Sequence, residues 1–282
     1  MEIINRIPRM MSIASELRSE GKRTGLVPTS GALHEGHLSL TSRARELCDT
    51  VIVSIFSNPM ADEGSRVTSV DLPRDAELAF TRGVDFIFAP PPDDVFPEGF
   101  STSVTVEGLS ARLEGTSRPG YFRSITTVVN KLFNIVDPHF AFFGRKDAQQ
   151  VVIVKRMVKE LAMGVEIVVC PTVREEDGLA LSSMNVNLNT EERKAATVLR
   201  RSLERCLSLY NGGEREAARL IASMRSVIES EPLARIDYIA VTDVDRLDAI
   251  DLTPAYGPTL VSLAVHIGST RLTDNIVLNG EL

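Results

Sequence analysis

Cysteine is scarce: Cys48, Cys170 and Cys206 lie far apart among 282 residues, and none sits in a C-x-x-C pair. That spacing argues against a disulfide framework and against a structural zinc site. Long apolar runs are missing too. Stretches such as Val51 to Phe56 and Val151 to Val154 fall far short of a membrane span. The opening MEIINRIPRM has no apolar core of the kind a secretory signal needs. Positive charge is in the minority, with 31 Lys and Arg against 38 Asp and Glu and a net charge of −7. A surface that wraps nucleic acid is therefore not expected. These absences point to a cytoplasmic protein without membrane or nucleic-acid partners. Apolar material is ample by contrast: 43% of residues are hydrophobic and 24% charged, enough for a substantial core. The length suits one large domain or two ordinary ones.

Short β-branched runs alternate with helical patterns over the first two-thirds, which predicts an α/β fold with a parallel sheet. Runs at 24–27, 51–56, 85–89, 140–143 and 165–170 suit strands covered on both faces. Helices are expected at about 38–48, 71–82, 124–136 and 147–163. In the last, Val151, Val154, Val158 and Leu161 recur at helical spacing. Residues 60–70 are polar and aperiodic and read as a loop, and the four prolines of 90–100 mark an irregular connection. The character changes after about Pro171, dividing the chain into 1–171 and a smaller α+β domain at 172–282. There Thr190 reads as a cap for a helix running to about Tyr210, with Glu191 and Glu192 in its first turn. A second helix follows at about 214–229, then strand-like segments at 234–241 and 259–266 that suit antiparallel pairing.

Three segments carry chemistry. The first runs from Gly25 to His37, where a strand ends at Pro28, a Gly-rich turn follows, and a helix starts near His37. Backbone N–H groups at a helix start favour phosphate, glycine allows close approach, and His34 and His37 can donate hydrogen bonds to phosphate oxygens. A plain strand-to-helix turn with two incidental surface histidines is the other reading. Two of only four histidines falling in one turn weakens that second reading. The Walker pattern and G-x-G-x-x-G are both absent, leaving the common P-loop and dinucleotide routes without support. The second segment, Phe143 to Gln150, again joins a strand end, a glycine and a helix start. Asp147 reads as its cap, and Lys146 sits where a cation would meet phosphate; taken alone, an ordinary capped helix is the other reading. The third, Val173 to Asn185, places Ser182, Ser183 and Asn185 after a Gly-containing turn. It suits a phosphate loop or an interdomain turn equally.

Taken together, these segments resemble the pantoate–β-alanine ligase (pantothenate synthetase) family. The resemblance covers nearly the whole chain: PTSGALHEGHLSL at 28–40, SIFSNP at 54–59, GLSARLEGTSRPGYF at 108–122 and TVVNKLF at 127–133. It continues through FFGRKDAQQ at 142–150, PTVREEDGLALSSMN at 171–185 and TRLTDNIVL at 270–278. It implies a Rossmann-like nucleotidyltransferase fold of the HIGH-motif superfamily, with HEGH at 34–37 as the signature. It also implies ATP as substrate, magnesium, and a homodimer. The implied reaction activates pantoate as pantoyl adenylate, then couples it to β-alanine with loss of AMP. By this resemblance His34, His37 and Lys146 stabilise charge developing on the phosphates. Ser30, Gly31, Leu181, Ser182, Ser183 and Met184 line the ATP site, the two serines of 182–183 holding the β- and γ-phosphates. Gly144 and Asp147 lie on the adenosine side, and Val173 meets the base through its backbone. Asn58 and Gln150 hold the acid, and Asp75 helps with magnesium.

The departures from the family pattern fall mostly in the acid pocket and phosphate loop. NPxQF is Asn58-Pro-Met-Ala-Asp62 here, so Ala61 stands where a glutamine grips pantoate. The loop after it is shorter than the family's, as length changes collect in loops. SSRN has become Ser182-Ser-Met-Asn185, placing Met184 at an arginine position. Ser30 stands for a methionine, Arg145 for an acid, and Tyr121 for a histidine. Three readings follow. One is a pantoate–β-alanine ligase with compensating residues; another is a paralogue adenylating a different carboxylic acid and coupling it to an amine. The third is a nucleotide-binding protein with little catalysis. The breadth of the resemblance favours the first.

Overall fold

The structure, a computed structural model, describes residues 1–59 and 71–282. It divides into two compact units: Met1–Arg145 with Ile153–Pro171, and Lys146–Val152 with Thr172–Leu282. The second unit thus takes in a short segment from before the 171/172 boundary expected from composition. The loop expected at 60–70, with Ala61, lies outside the described residues.

The first unit is built on a parallel sheet of β1 (Glu2–Ile4), β2 (Thr24–Thr29), β3 (Thr50–Ile55), β4 (Phe86–Phe88), β5 (Phe140–Gly144) and β6 (Glu166–Cys170). Their order is β1-β4-β3-β2-β5-β6. All six residues of β3 are buried, as befits a strand covered on both faces. Its helices are α1 (Ile7–Ser19), α2 (Glu35–Leu47), α3 (Leu72–Phe80), the single turns α4 (Pro92–Val95) and α5 (Glu114–Ser117), and α6 (Tyr121–Val136). Helix α7 (Ala148–Glu160) follows β5 after a 3-10 turn at Arg145–Asp147. The chain passes from β2 outward to β3 and β4, then crosses back to β5 on the other side of β2. The carboxyl ends of β2 and β5 therefore flank the sheet's switch point, where open α/β sheets bind ligands.

Two residues of β2 explain its shape. Gly25 is required by packing, because an added Cβ would lie 2.7 Å from Cys48 Sγ and 3.0 Å from Phe142 Cε2. Thr24 O accepts from His139 N just before β5, and Thr29 O from Phe56 N just past β3. Alternation along a strand therefore turns the imide nitrogen of Pro28 towards the β5 side, where it has no hydrogen to give. The β2–β5 pairing covers only Gly25 and Leu26, so these strands part towards their carboxyl ends.

The second unit carries β7 (Ala234–Asp243), β8 (Thr259–Ile267) and β9 (Thr270–Leu278), antiparallel in the order β7-β8-β9. Its helices are α8 (Thr190–Ala195), α9 (Val198–Asn211) and α10 (Ala217–Glu229). Leu203, Cys206, Leu220 and Met224 from the helices bury against Val261, Leu263 and Val265 of β8.

Several expectations need correction. Strands β1 and β9 and helix α1 were not expected. The cap of α8 is Asn189 rather than Thr190: its side chain accepts from Glu191 N and Glu192 N, while Glu192 returns a bond to the Asn189 backbone. Helix α7 ends at Glu160, leaving Leu161 exposed instead of on the apolar face. Helix α2 begins at Glu35, ahead of the start expected near His37.

Candidate active site

In the first unit, the chain leaves β2 through Ser30, Gly31 and Ala32. Gly31 has φ +88° and Ala32 φ +51°, two left-handed residues in succession. Glycine is natural at the first, but Ala32 costs about 1–2 kcal/mol there, so its surroundings must fix the turn. Thr29 Oγ1 donates to Ser54 O at 2.7 Å and accepts from Gly31 N at 3.3 Å. Leu33 N donates to Asp75 Oδ1 at 2.8 Å. The turn thus hangs from β3 on one side and α3 on the other.

The two histidines close the start of α2 as a capping box. His34 is the cap, and its Nδ1 accepts from Gly36 N at 3.1 Å. His37 Nδ1 accepts from His34 N at 3.4 Å, and the two rings stack with centroids 4.1 Å apart. Because both Nδ1 atoms accept, each neutral ring carries its proton on Nε2 and presents that atom as a donor. The backbone therefore selects the tautomer that can meet an anion.

Other expected residues of this unit gather at the same end of the sheet. Asn58 lies just past β3, is buried, and donates through Nδ2 to Ser124 O at 3.1 Å. Gly144 ends β5, and an added Cβ there would meet no atom of the described residues within 4 Å. Ser30 is exposed. Tyr121, at the family's histidine position, starts α6 with the Arg118 guanidinium 3.6 Å from its ring centre. The strands that end here, β3, β2 and β5, are adjacent and parallel.

Asp75 does not fit a magnesium site. Its side chain is fully buried, Oδ1 accepts from Leu33 N with Arg74 Nη1 3.5 Å away, and Oδ2 is enclosed without a hydrogen-bond partner among the described residues. Magnesium needs six oxygens and keeps several of its waters, which a carboxylate sealed from solvent cannot accommodate. Among the described residues no group of three or more His, Cys, Asp or Glu is placed to hold a metal. Asp75 braces the turn instead.

In the second unit, Lys146 is largely buried, and its Nζ lies 3.2 Å from Asp147 Oδ1. Gln150 is half-buried in the first turn of α7. Val173 opens a hairpin in which its carbonyl accepts from Leu181 N at 3.0 Å and Glu175 N donates to Leu179 O at 2.8 Å. Ser182 caps the 3-10 turn Ser183–Asn187, its Oγ accepting from Met184 N at 3.2 Å. Ser183 and Met184 are exposed.

Sequence reasoning missed the residues that fasten this hairpin. Arg174 makes a two-pronged bond to Asp274 of β9, Nη1 to Oδ2 at 2.7 Å and Nη2 to Oδ1 at 2.9 Å. Arg193 of α8 grips Asp177 and Glu175, and its hydrogen bond holds the Asp177 carboxyl below the usual carboxylate range. Asn275 Nδ2 donates to Lys146 O at 2.8 Å. The available signal was the adjacent polar pair Asp274-Asn275 inside a strand-length segment.

Comparison with known proteins bears on this arrangement. The pantoate-beta-alanine ligase family profile matches residues 2–277. Pantothenate synthetase of Pelotomaculum thermopropionicum is 49% identical over 285 residues, covering 100% of both chains. That of a Roseiflexus species is 50% identical over 282 residues, covering 99% of each. The crystal structure of pantothenate synthetase from Thermus thermophilus superposes with a TM-score of 0.90 at 39% identity, covering 98% of this chain and 99% of that one. Pantoate-beta-alanine ligase from Francisella tularensis, complexed with beta-gamma ATP and beta-alanine, does so at 0.78 and 32% identity, covering 98% and 97%.

Proposed function

The chain belongs to the pantoate-beta-alanine ligase family, and on that premise we propose how its residues share the reaction. The activity is ATP-dependent, AMP-forming ligation of pantoate to β-alanine. In the first step the pantoate carboxylate attacks the α-phosphorus of ATP, forming pantoyl adenylate and expelling pyrophosphate. In the second the β-alanine amine attacks the acyl carbon, forms the amide and expels AMP. Neither step needs a protein nucleophile, so positioning and charge stabilisation dominate.

His34 and His37 donate from Nε2 to the phosphates. The observation that carries this reading is the capping box, which commits both Nδ1 atoms to the backbone at the sheet's switch point. Lys146 adds an ammonium to the charge that develops there. Ser30 and Gly31 line the turn beside the nucleotide, and Leu181, Ser182, Ser183 and Met184 follow the β- and γ-phosphates. The open space beside Gly144 suits adenosine, and Asp147 is assigned to the same nucleoside. The Val173 carbonyl keeps a second lone pair for the adenine amino group. Asn58 and Gln150 hold the acid. Magnesium accompanying ATP would neutralise its phosphates, without Asp75. The proposed assembly is a homodimer, which light scattering would test.

The decisive experiment is ATP–pyrophosphate exchange across a panel of carboxylic acids, comparing wild type with Lys146→Ala. Exchange driven by pantoate and lost in the variant is expected. Exchange that requires a different acid would move the substrate assignment to that acid, and equal exchange in both proteins would remove Lys146 from the site.

A further inference from the structure

Lys146 and the Val173–Ser182 hairpin are separate in sequence, yet both are tied to two neighbouring residues of β9. Asn275 donates through Nδ2 to the Lys146 carbonyl at 2.8 Å. Asp274 receives the two-pronged bond from Arg174, whose Nη1 also reaches Gly178 O at 3.0 Å across the hairpin. Asp274 and Asn275 are 2% and 4% exposed. Their pairing with Leu263 and Ser262 of β8 is in regular register. Adjacent side chains leave a strand on opposite faces, so one dipeptide reaches two distinct segments. Asn275 N also donates to Asp274 Oδ1 at 2.8 Å, which orients the carboxylate towards the guanidinium.

We propose that Asp274 and Asn275 are positioning residues for adenylate formation. Asn275 sets the main chain from which the Lys146 ammonium extends, and Asp274, through Arg174, sets the hairpin that leads into Ser182 and Ser183. The proposal rests on the reading above that Lys146 and 181–184 meet the ATP phosphates. Neither β9 side chain needs to touch the nucleotide. A flexible lysine can deliver its charge only within reach of its own Cα, so loosening the carbonyl displaces the ammonium from the developing charge. The amine-transfer step forms no bond at the β- and γ-phosphates and should be insensitive to the same loosening.

The test uses Asn275→Ala, the near-isosteric Asn275→Asp, Arg174→Lys and, in parallel, Lys146→Ala. Each is measured by pantoate-dependent ATP–pyrophosphate exchange and by aminolysis of supplied pantoyl adenylate, with thermal midpoints recorded. Misplacement by about 1 Å can cost roughly a hundredfold, so exchange is expected to fall by about 10- to 100-fold in both Asn275 variants. In the Asn275 and Arg174 variants aminolysis should stay within about twofold of wild type, because that step makes no bond at the β- and γ-phosphates. Asn275→Asp adds a sharper readout. Ionised, it faces the Lys146 carbonyl with an acceptor; protonated, it regains a donor, so its exchange relative to wild type should recover as pH falls. Arg174→Lys keeps the charge but loses the two-pronged geometry and should fall between, which covers an Asn275→Ala protein that does not fold. Equal losses in both half-reactions, or wild-type exchange in the Asn275 variants while Lys146→Ala is inactive, would overturn the positioning role. Unchanged exchange in Lys146→Ala would overturn the reading beneath it, and the proposal with it.

Discussion

Each histidine of the turn has two jobs that a single substitution can separate. His34 caps α2 through Nδ1, and in the proposed site its Nε2 meets a phosphate. Asparagine is among the best N-cap residues, so His34→Asn keeps the cap while removing the Nε2 donor and the ring stacked on His37. The expected outcome is a thermal midpoint within a degree or two of wild type, an on-scale shift for well under about 1 kcal/mol, with a large drop in pyrophosphate exchange. A large fall in midpoint would mean that the imidazole pair holds the turn by stacking. Met184 poses the opposite question. It is 39% exposed beside the Ser182 cap, where its thioether offers phosphate nothing. Met184→Arg supplies planar charged donors, and a charge-assisted bond of about 1.5–3 kcal/mol would raise kcat/KM for ATP by about tenfold or more. An unchanged value would assign that charge to another cation, with Arg145 the first to mutate. Ala61, outside the described residues, is tested with the acid. Regaining a two-sided amide by Ala61→Gln should improve use of pantoate over analogues lacking its hydroxyls, since polar groups that must be paired enforce such selectivity.

Elements differ in how clearly they show in sequence. Gly25→Ala tests the most crowded one: its Cβ would press Cys48 Sγ and Phe142, and overpacking of this kind costs about 1–3 kcal/mol. Denaturant unfolding should show that loss, because the clash lies at the centre of the sheet. Strands such as β3, six buried residues flanked by helical patterns, were legible because burial on both faces leaves no polar positions. Strand β1 has three residues and β9 is interrupted by Asp274 and Asn275, so neither presents an apolar run. Their strand state comes from pairing with β4 and β8, which local pattern does not encode. The site divides in the same way. The turn at 28–37 and the Lys146 and Ser182 segments could be read from residue types at element ends. The capping role of the histidines could not, because histidine is an uncommon cap. Nor could the bracing role of Asp75, whose partner Leu33 lies 42 residues away. Contacts set by tertiary folding are the part that sequence spacing leaves out.

Over the whole molecule the three cysteines report on both units without touching the chemistry. All are unpaired in disulfide terms and buried: Cys48 and Cys170 belong to one core cluster of the first unit, Cys206 to the core of the second. Burial disfavours the thiolate and pushes each thiol from an ordinary value near 9 up to about 11. At pH 8 only about one thiol in a thousand would then be ionised, even where a reagent could reach it. The native protein should therefore resist alkylation at pH 8, and labelling should proceed through opening of each core. These raised values stabilise the fold fully below the unfolded thiol value near 9, and that contribution is lost as pH rises through about 11. The thermal midpoint is expected to hold steady from neutral pH to about 8.5 and to fall between about 9 and 11. Labelling followed by peptide mass spectrometry resolves the cores further. Cys48 and Cys170, sharing one cluster, should label with a common rate constant, and Cys206 with its own. Distinct rates for Cys48 and Cys170 would mean that the first unit opens in parts, with the edge near β6 separating from the β2–α2 layer before the rest unfolds.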